Sequence, residues 1–191
     1  MSDYLIHHGI LGQKWGVRRY QNPDGSLTAA GRKRYLDGMH AQTVMRYDSG
    51  FLSKKSQKAA NKTIDKYKKL DRKVNLDSRI SNDEDFSDKF SNVLRDMPYN
   101  DGNPAVEKKS KSWKPDKKLL DSMSDALKKS VSKSIGSDAS DEELTEFANK
   151  YLKYSANSLS FEAWEAGLSC RFDVDDGKIV AYIPKSNTSR W

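Results

Sequence analysis

Apolar residues recur at the three- and four-residue spacing of an amphipathic α-helix along most of the chain. Asn22–Gly25 is a strong turn sequence, and Thr28 after it is a suitable N-cap. Ser140 and Glu143 form a capping-box pattern. The pattern predicts helices over Ala29–Tyr47, about Ser53–Asn75, from Ser81 or Asn82 to Pro98, about Asp116–Ile135, and from Ser140 onwards, with a short sixth helix from Ser160 to Gly167.

The predicted helices differ in how much of their surface is apolar. The third has a clear buried face, formed by Phe86, Phe90, Val93, Leu94 and Met97. The second has only a narrow apolar stripe, and lysines cover its other faces. A helix this polar usually lies on a partner or faces solvent.

An alternating pattern near the C-terminus predicts a β-hairpin rather than another helix. Cys170, Phe172 and Val174 alternate with other residues. The turn sequence Asp175–Gly177 then leads into a returning strand over Ile179–Ile183. The predicted fold class is therefore α+β: mainly α, with about five to six helices and a small C-terminal β-hairpin.

Shifts in composition divide the chain into four parts. We expect a motif-bearing N-terminal module over 1–50, a helical segment over 51–98, a linker over 99–118, and a helical body with the hairpin over 119–191. The linker combines asparagine, glycine and proline with a run of lysines. Trp113, inside that run, either stacks on a base, docks on a partner, or packs back onto the core.

The composition limits the classes of protein to which the chain can belong. Its 191 residues are 36% hydrophobic and 32% charged, with a mean hydropathy of −0.88, so we expect a thin core. No apolar run approaches the ~18–20 residues that span a bilayer, and no signal-peptide pattern is present, so we expect no membrane association. The lone Cys170 excludes an internal disulfide and is interpreted as a half-buried apolar side chain.

The net charge of +7 is concentrated in the N-terminal part of the chain. Residues 1–58 carry ten basic and four acidic side chains, a net charge of +6, whereas the remaining residues carry +1. Such a field suits a phosphate backbone or an acidic protein surface. A surface that merely keeps the chain soluble is the alternative interpretation.

Tyr4–Tyr35 holds the densest run of unusual residues, but their arrangement does not favour catalysis. His7 and His8 are adjacent, so in a strand their side chains would point to opposite faces and bind one metal poorly. The sequence has no HExxH, CxxC, GxSxG or Walker pattern. We therefore name no catalytic residue, no metal site and no cofactor, and a non-enzymatic protein is favoured.

The basic and aromatic side chains of the same stretch favour binding. Arginine pairs with phosphates or carboxylates, and tryptophan or tyrosine stacks on bases or anchors a contact. No nucleic-acid reader motif matches, so nucleic-acid binding and protein docking both stay open. Trp15 and Tyr20 are the predicted anchors or, alternatively, a small core against the first helix. The predicted contact residues are His7, His8, Lys14, Trp15, Arg18, Arg19, Tyr20, Arg32, Lys33 and Arg34, with Trp113 as a secondary candidate.

The segment HHGILGQKWGVRRYQNPDGSLTAAGRKRY resembles a motif of tailed-phage and prophage proteins, mostly of Gram-positive hosts. The general form is HHGxxGxKWGxRRYQNxDGSLTxxGxxRY, with Gln13 here at a position where methionine is common. The match covers roughly the first 35 residues. In that family the motif precedes varied bodies, often described as structural or minor-head proteins.

The resemblance implies a virion- or head-associated, non-enzymatic phage protein whose N-terminal module docks on a phage structural protein or on packaged DNA. A small phage effector that binds and inhibits a host bacterial defence protein is the alternative, and an accessory DNA-binding protein is the third. The expected location is the virion or the host cytoplasm. The identity of the partner and the oligomeric state stay open.

Overall fold

The computed structural model describes residues 19–98 and 113–183. The chain divides into two compact units, with the boundary between Leu70 and Asp71. Its fold is mainly α with a two-stranded antiparallel hairpin at the C-terminal end of the described chain, so the predicted fold class is confirmed.

The first unit is built on two long helices. Helix α1 spans Ala29–Tyr47, and helix α2 spans Lys54–Val74, which extends past the boundary. One turn of 3-10 helix, Ser49–Phe51, lies between them. Thr28 caps α1, because its hydroxyl accepts a hydrogen bond from the Gly31 amide at 3.2 Å. Both predicted helices and the predicted cap are confirmed.

A glycine allows α1 and α2 to approach closely. A Cβ atom built on Gly38 of α1 would lie 2.2 Å from the Cβ of Tyr67 in α2, so the tyrosine occupies the space of the missing side chain. The Tyr67 ring also meets the Tyr35 ring edge to face, with centroids 5.1 Å apart. Tyr35 is fully buried. This contact forms the apolar centre of the unit.

Four helices and the hairpin make up the second unit. The helices are α3 (Leu76–Ser81), α4 (Glu84–Asp96), α5 (Lys117–Ile135) and α6 (Asp141–Glu165). The capping box of Ser140 with Glu143 is present at the start of α6, as predicted. Residues 99–112 of the predicted linker lie outside the described residues, and its last two positions belong to α5.

The short helix α3 was not predicted, and it displaces the predicted cap of the next helix. Asn75 takes a left-handed conformation (φ 51°) that separates α2 from α3. Ser81 and Asn82 then belong to the end of α3. The side chain of Asp83 caps α4 instead, accepting a hydrogen bond from the Phe86 amide at 3.3 Å.

The predicted separate sixth helix was wrong, because α6 continues without a break to Glu165. Ser160 lies inside the helix and is not its N-cap. Its hydroxyl lies 2.8 Å from the Ala156 carbonyl and 2.9 Å from the Phe172 amide, from which it accepts. The Ser160 hydroxyl, which the sequence suggested as a helix cap, therefore forms a hydrogen bond to the hairpin instead.

The hairpin consists of β1 (Arg171–Asp175) and β2 (Lys178–Tyr182), paired antiparallel. Its two-residue turn, Asp176 and Gly177, has positive φ at both positions (46° and 65°), as the right-handed twist of a hairpin favours. The hairpin packs against α5 and α6. The centre of this core is fully buried and comprises Met123, Leu127, Val131, Phe147, Leu152, Leu159, Phe172 and Ile179.

Candidate docking surface

Residues 19–28 form a tight loop that leads into α1. Gln21 and Leu27 pair across it as an isolated antiparallel bridge. Gly25 has a φ of 87°, which a residue without a Cβ adopts readily, and its amide donates to the Asn22 carbonyl at 2.9 Å. The turn predicted over Asn22–Gly25 is therefore present.

Hydrogen bonds made by polar side chains within this loop stabilise it. Asp24 Oδ1 accepts from the amide and the hydroxyl of Ser26, at 2.9 and 2.7 Å. Asn22 Nδ2 donates to Ser26 Oγ at 2.9 Å, and Gln21 Nε2 donates to the Gly25 carbonyl at 3.1 Å. These motif residues thus have a structural role that needs no partner molecule.

The start of α1 is fastened to the loop by three further motif residues. The Thr28 hydroxyl donates to the Arg19 carbonyl at 2.8 Å while it caps the helix. Gly31 lies so close to the loop that a Cβ on it would be 2.2 Å from the Tyr20 carbonyl oxygen. Arg32 is 2% exposed, and its Nη1 donates to the Leu27 carbonyl at 3.1 Å. The guanidinium of Arg32 therefore belongs to the interior.

The same contacts bring Arg19, Tyr20 and Arg34 together at the surface, and we refer to them as the arginine–tyrosine cluster. The Arg34 guanidinium carbon lies 4.1 Å from the centre of the Tyr20 ring, and that of Arg19 lies 5.3 Å from it. Both distances are typical of cation–π contacts. Lys33, next to the cluster in sequence, is exposed. Two guanidinium groups on one ring form a concentrated positive charge suited to a carboxylate or a phosphate.

The structure brings together only part of the predicted contact set. Arg19, Tyr20 and Arg34 share one surface, Lys33 is exposed beside them in sequence, and Arg32 is buried. Five of the predicted residues lie outside the described residues: His7, His8, Lys14, Trp15 and Arg18.

Trp113, the secondary candidate, lies in the second unit immediately before α5. Its side chain is half-buried, and the indole Nε1 donates to Asp96 Oδ2 at 3.2 Å. Asp96 is the last residue of α4. The tryptophan is thus held by a carboxylate at the end of that helix.

Sequence reasoning did not single out an aromatic patch on α6. Phe161 and Trp164 are 55% and 71% exposed, with ring centroids 5.9 Å apart. A signal was present in the sequence, because neither residue falls in the series Leu152, Ala156, Leu159 that continues the buried face of the helix.

A groove of about 340 Å³ lies between α3, α4 and α6. The Tyr151 hydroxyl donates to Asp77 Oδ1 at 2.6 Å, and Lys150 Nζ lies 4.0 Å from the same oxygen. Burial lowers the pKa of the Lys150 ammonium, and the charges of Asp77 and Asp71 oppose that effect. The charged groups at this groove are therefore engaged with one another.

Within residues 19–98 and 113–183, no group of three or more histidine, cysteine, aspartate or glutamate side chains is placed to hold a metal ion. None of the helices in these ranges is both long and apolar enough to span a membrane.

Comparison of the chain with protein-family models, with curated proteins and with solved structures finds no match.

Proposed function

We propose that the chain is a non-enzymatic phage protein, associated with the virion, whose N-terminal module docks on a phage structural protein or on packaged DNA. The arginine–tyrosine cluster is the described part of the docking surface. The resemblance of residues 7–35 to a motif of tailed-phage proteins supports the phage origin.

The observation that carries this proposal is that the motif residues fall into two groups, one structural and one at the surface. Its turn and cap residues are engaged in internal hydrogen bonds, whereas Arg19 and Arg34 are held on the Tyr20 ring at the surface. A rigid loop that presents the same charged group is suited to docking, because little conformational freedom is lost when it binds. Such a module can precede unrelated bodies and still present the same surface.

Mass spectrometry of purified particles of the encoding phage tests the proposal. We expect the chain in the particles, and we expect the double variant Arg19→Ala, Arg34→Ala to be depleted in them at equal expression. The matched control is Arg46→Ala with Lys54→Ala, which removes the same charge from exposed positions of the same unit. Absence of the chain from particles, or equal loss of both variants, contradicts the proposal.

The exposed Phe161 and Trp164 favour a second function, binding of a host bacterial protein by the second unit. Aromatic side chains are enriched among residues that dominate binding energy in protein interfaces. Under this alternative, a chain lacking residues 1–50 still captures the host protein, and Trp164→Ala abolishes capture. If removal of residues 1–50 abolishes capture, the N-terminal module carries the binding instead.

A further inference from the structure

One face of α2 carries a continuous row of ammonium groups. The five lysines are spaced three, four, four and three residues apart, and we call them the lysine stripe: Lys55, Lys58, Lys62, Lys66 and Lys69. At 3.6 residues per turn they fall within a sector of about 80°. All five are exposed.

The stripe lies on a different face of α2 from the buried one. Tyr67 and Leu70 mark the buried face and are 6% and 5% exposed. Asp65 lies just outside the sector of the stripe and is also exposed. None of the ion pairs found between described residues involves a stripe lysine. Close ion pairs within the described part of the chain therefore do not neutralise this row of charge.

Repulsion between these lysines destabilises α2. Like charges three or four residues apart on a helix repel each other, and the stripe contains four such consecutive pairs. A partner with regularly spaced negative charge would relieve this repulsion. From Lys55 to Lys69 the row extends about 21 Å, and double-stranded DNA carries one negative charge per about 1.7 Å of its axis, so every ammonium can reach a phosphate.

We propose that the lysine stripe binds the phosphate backbone of double-stranded nucleic acid, without reading its sequence. Lysine supplies mobile point charges rather than the planar fork with which arginine reads guanine edges. A single-stranded ligand is less suitable, because its sites combine positive charge with stacking aromatics, and the one aromatic residue of α2, Tyr67, is on the buried face.

A membrane surface is also less suitable as the partner. Helices that lie in a membrane interface bury an apolar face beside their basic residues. The large apolar side chains Tyr67 and Leu70 are instead buried within the chain. The stripe shares no residue with the arginine–tyrosine cluster, so this inference goes beyond the proposed docking function and does not depend on it.

The test measures binding of the full chain to a short random-sequence DNA duplex as a function of salt. With five phosphate contacts, the affinity is expected to fall about 500-fold between about 50 and 200 mM salt. Replacing all five stripe lysines by glutamine, which has a similar helix propensity, should reduce the slope of log affinity against log salt by about 4.5. Circular dichroism verifies that the variant is folded.

A second variant with the same net charge separates the stripe from a general charge effect. It replaces five exposed lysines of the second unit by glutamine, at Lys114, Lys117, Lys118, Lys129 and Lys133. This variant should keep the salt slope of the native chain to within about one contact. Equal loss of slope in both variants overturns the proposal, as does unchanged duplex binding by the stripe variant.

Anionic phospholipid vesicles and single-stranded DNA serve as the competing probes. Stripe-dependent binding to vesicles without binding to the duplex would assign the surface to a membrane and overturn the proposal. Tighter stripe-dependent binding to single strands than to the duplex would also overturn it. The variant Arg19→Ala, Arg34→Ala should keep the part of the salt slope, about 4.5, that comes from the five stripe lysines. The outcome of this test is therefore distinct from that of the virion-docking test.

Discussion

Gly31 shows how a single residue can be constrained by packing within a motif that looks like a recognition signal. It sits in the first turn of α1, against the Tyr20 carbonyl, and the loop leaves no room for a Cβ atom. Thr28 and Arg32, on either side, bond to the carbonyls of Arg19 and Leu27. Much of the motif therefore specifies the loop-to-helix junction, and the exposed Arg19 with the half-buried Arg34 is the part available to a partner.

Replacing Gly31 by alanine should destabilise the first unit. Alanine favours a helix by about 1 kcal/mol over glycine, but the new Cβ would lie 2.2 Å from a backbone oxygen, and overpacking costs about 1–3 kcal/mol. Because the clashing atom belongs to the backbone, the cost lies at the upper end of that range, and we expect a net loss of about 2 kcal/mol, measured by hydrogen exchange of the α1 amides. Gly50→Ala is the control, because nothing lies within 4 Å of its Cβ position. A Gly31→Ala variant as stable as the native chain would contradict this packing.

Cys170 should react slowly in the folded chain. Burial raises the pKa of its thiol from 9.0 to about 11, which leaves about 100-fold less thiolate at pH 8. Alkylation by iodoacetamide, followed by mass spectrometry, should therefore be about 100-fold slower in the native chain than in urea. Because the folded pKa is the higher one, the thiol's contribution to stability is present below pH 9.0 and is lost as the pH rises towards 11. Equal alkylation rates in the native chain and in urea would contradict the raised pKa of the Cys170 thiol.

At the scale of elements, two serines fasten the hairpin to the helices. Ser124 of α5 accepts from the Ile179 amide of β2 at 3.0 Å and donates to the Leu120 carbonyl at 2.7 Å. Ser160 of α6 accepts from the Phe172 amide of β1. An isolated two-stranded hairpin is marginally stable, so these bonds and the apolar packing beneath them hold it in place.

Ser124→Ala should destabilise the second unit by about 1–3 kcal/mol, because it leaves the Ile179 amide without its acceptor. Ser132→Ala on the same helix is the matched control, since Ser132 is exposed and the gain in helix propensity is the same. Urea unfolding followed by circular dichroism measures both. The control should stay within about 0.5 kcal/mol of the native chain, and equal effects of the two changes would show that the serine bond contributes nothing.

Local signals predicted those elements whose ends are determined by neighbouring residues. Thr28 and the Ser140–Glu143 box act within one turn of their helices, and both were predicted. Ser160 was misinterpreted because its partner, the Phe172 amide, is twelve residues away. Likewise, the basic run suggested a contact role for Arg32, but its position in the interior depends on how the loop folds over α1. The spacing of apolar residues along the chain does not indicate which distant residues will form hydrogen bonds with each other.

At the scale of the whole molecule, the boundary between the units separates a strongly basic part of the chain from a weakly acidic part. Residues 1–70 carry 14 basic and 5 acidic side chains, a net charge of +9, whereas residues 71–191 carry 20 basic and 22 acidic ones, a net charge of −2. The asymmetry is larger than the +6 of residues 1–58, because the rest of α2 adds further lysines. Both basic surfaces, the arginine–tyrosine cluster and the lysine stripe, belong to the first unit.

The last prediction follows from this asymmetry. A fragment comprising residues 71–191 should pass through a cation exchanger at pH 7 and low salt, because its net charge is −2, whereas the full chain at +7 should be retained. Circular dichroism establishes whether the fragment keeps the helices of its unit. The full chain with the five second-unit lysines replaced by glutamine is the control. At a net charge of +2 it should still be retained, because the first unit is unchanged. Retention of the fragment as strong as that of the full chain would place the dominant basic surface in the second unit instead.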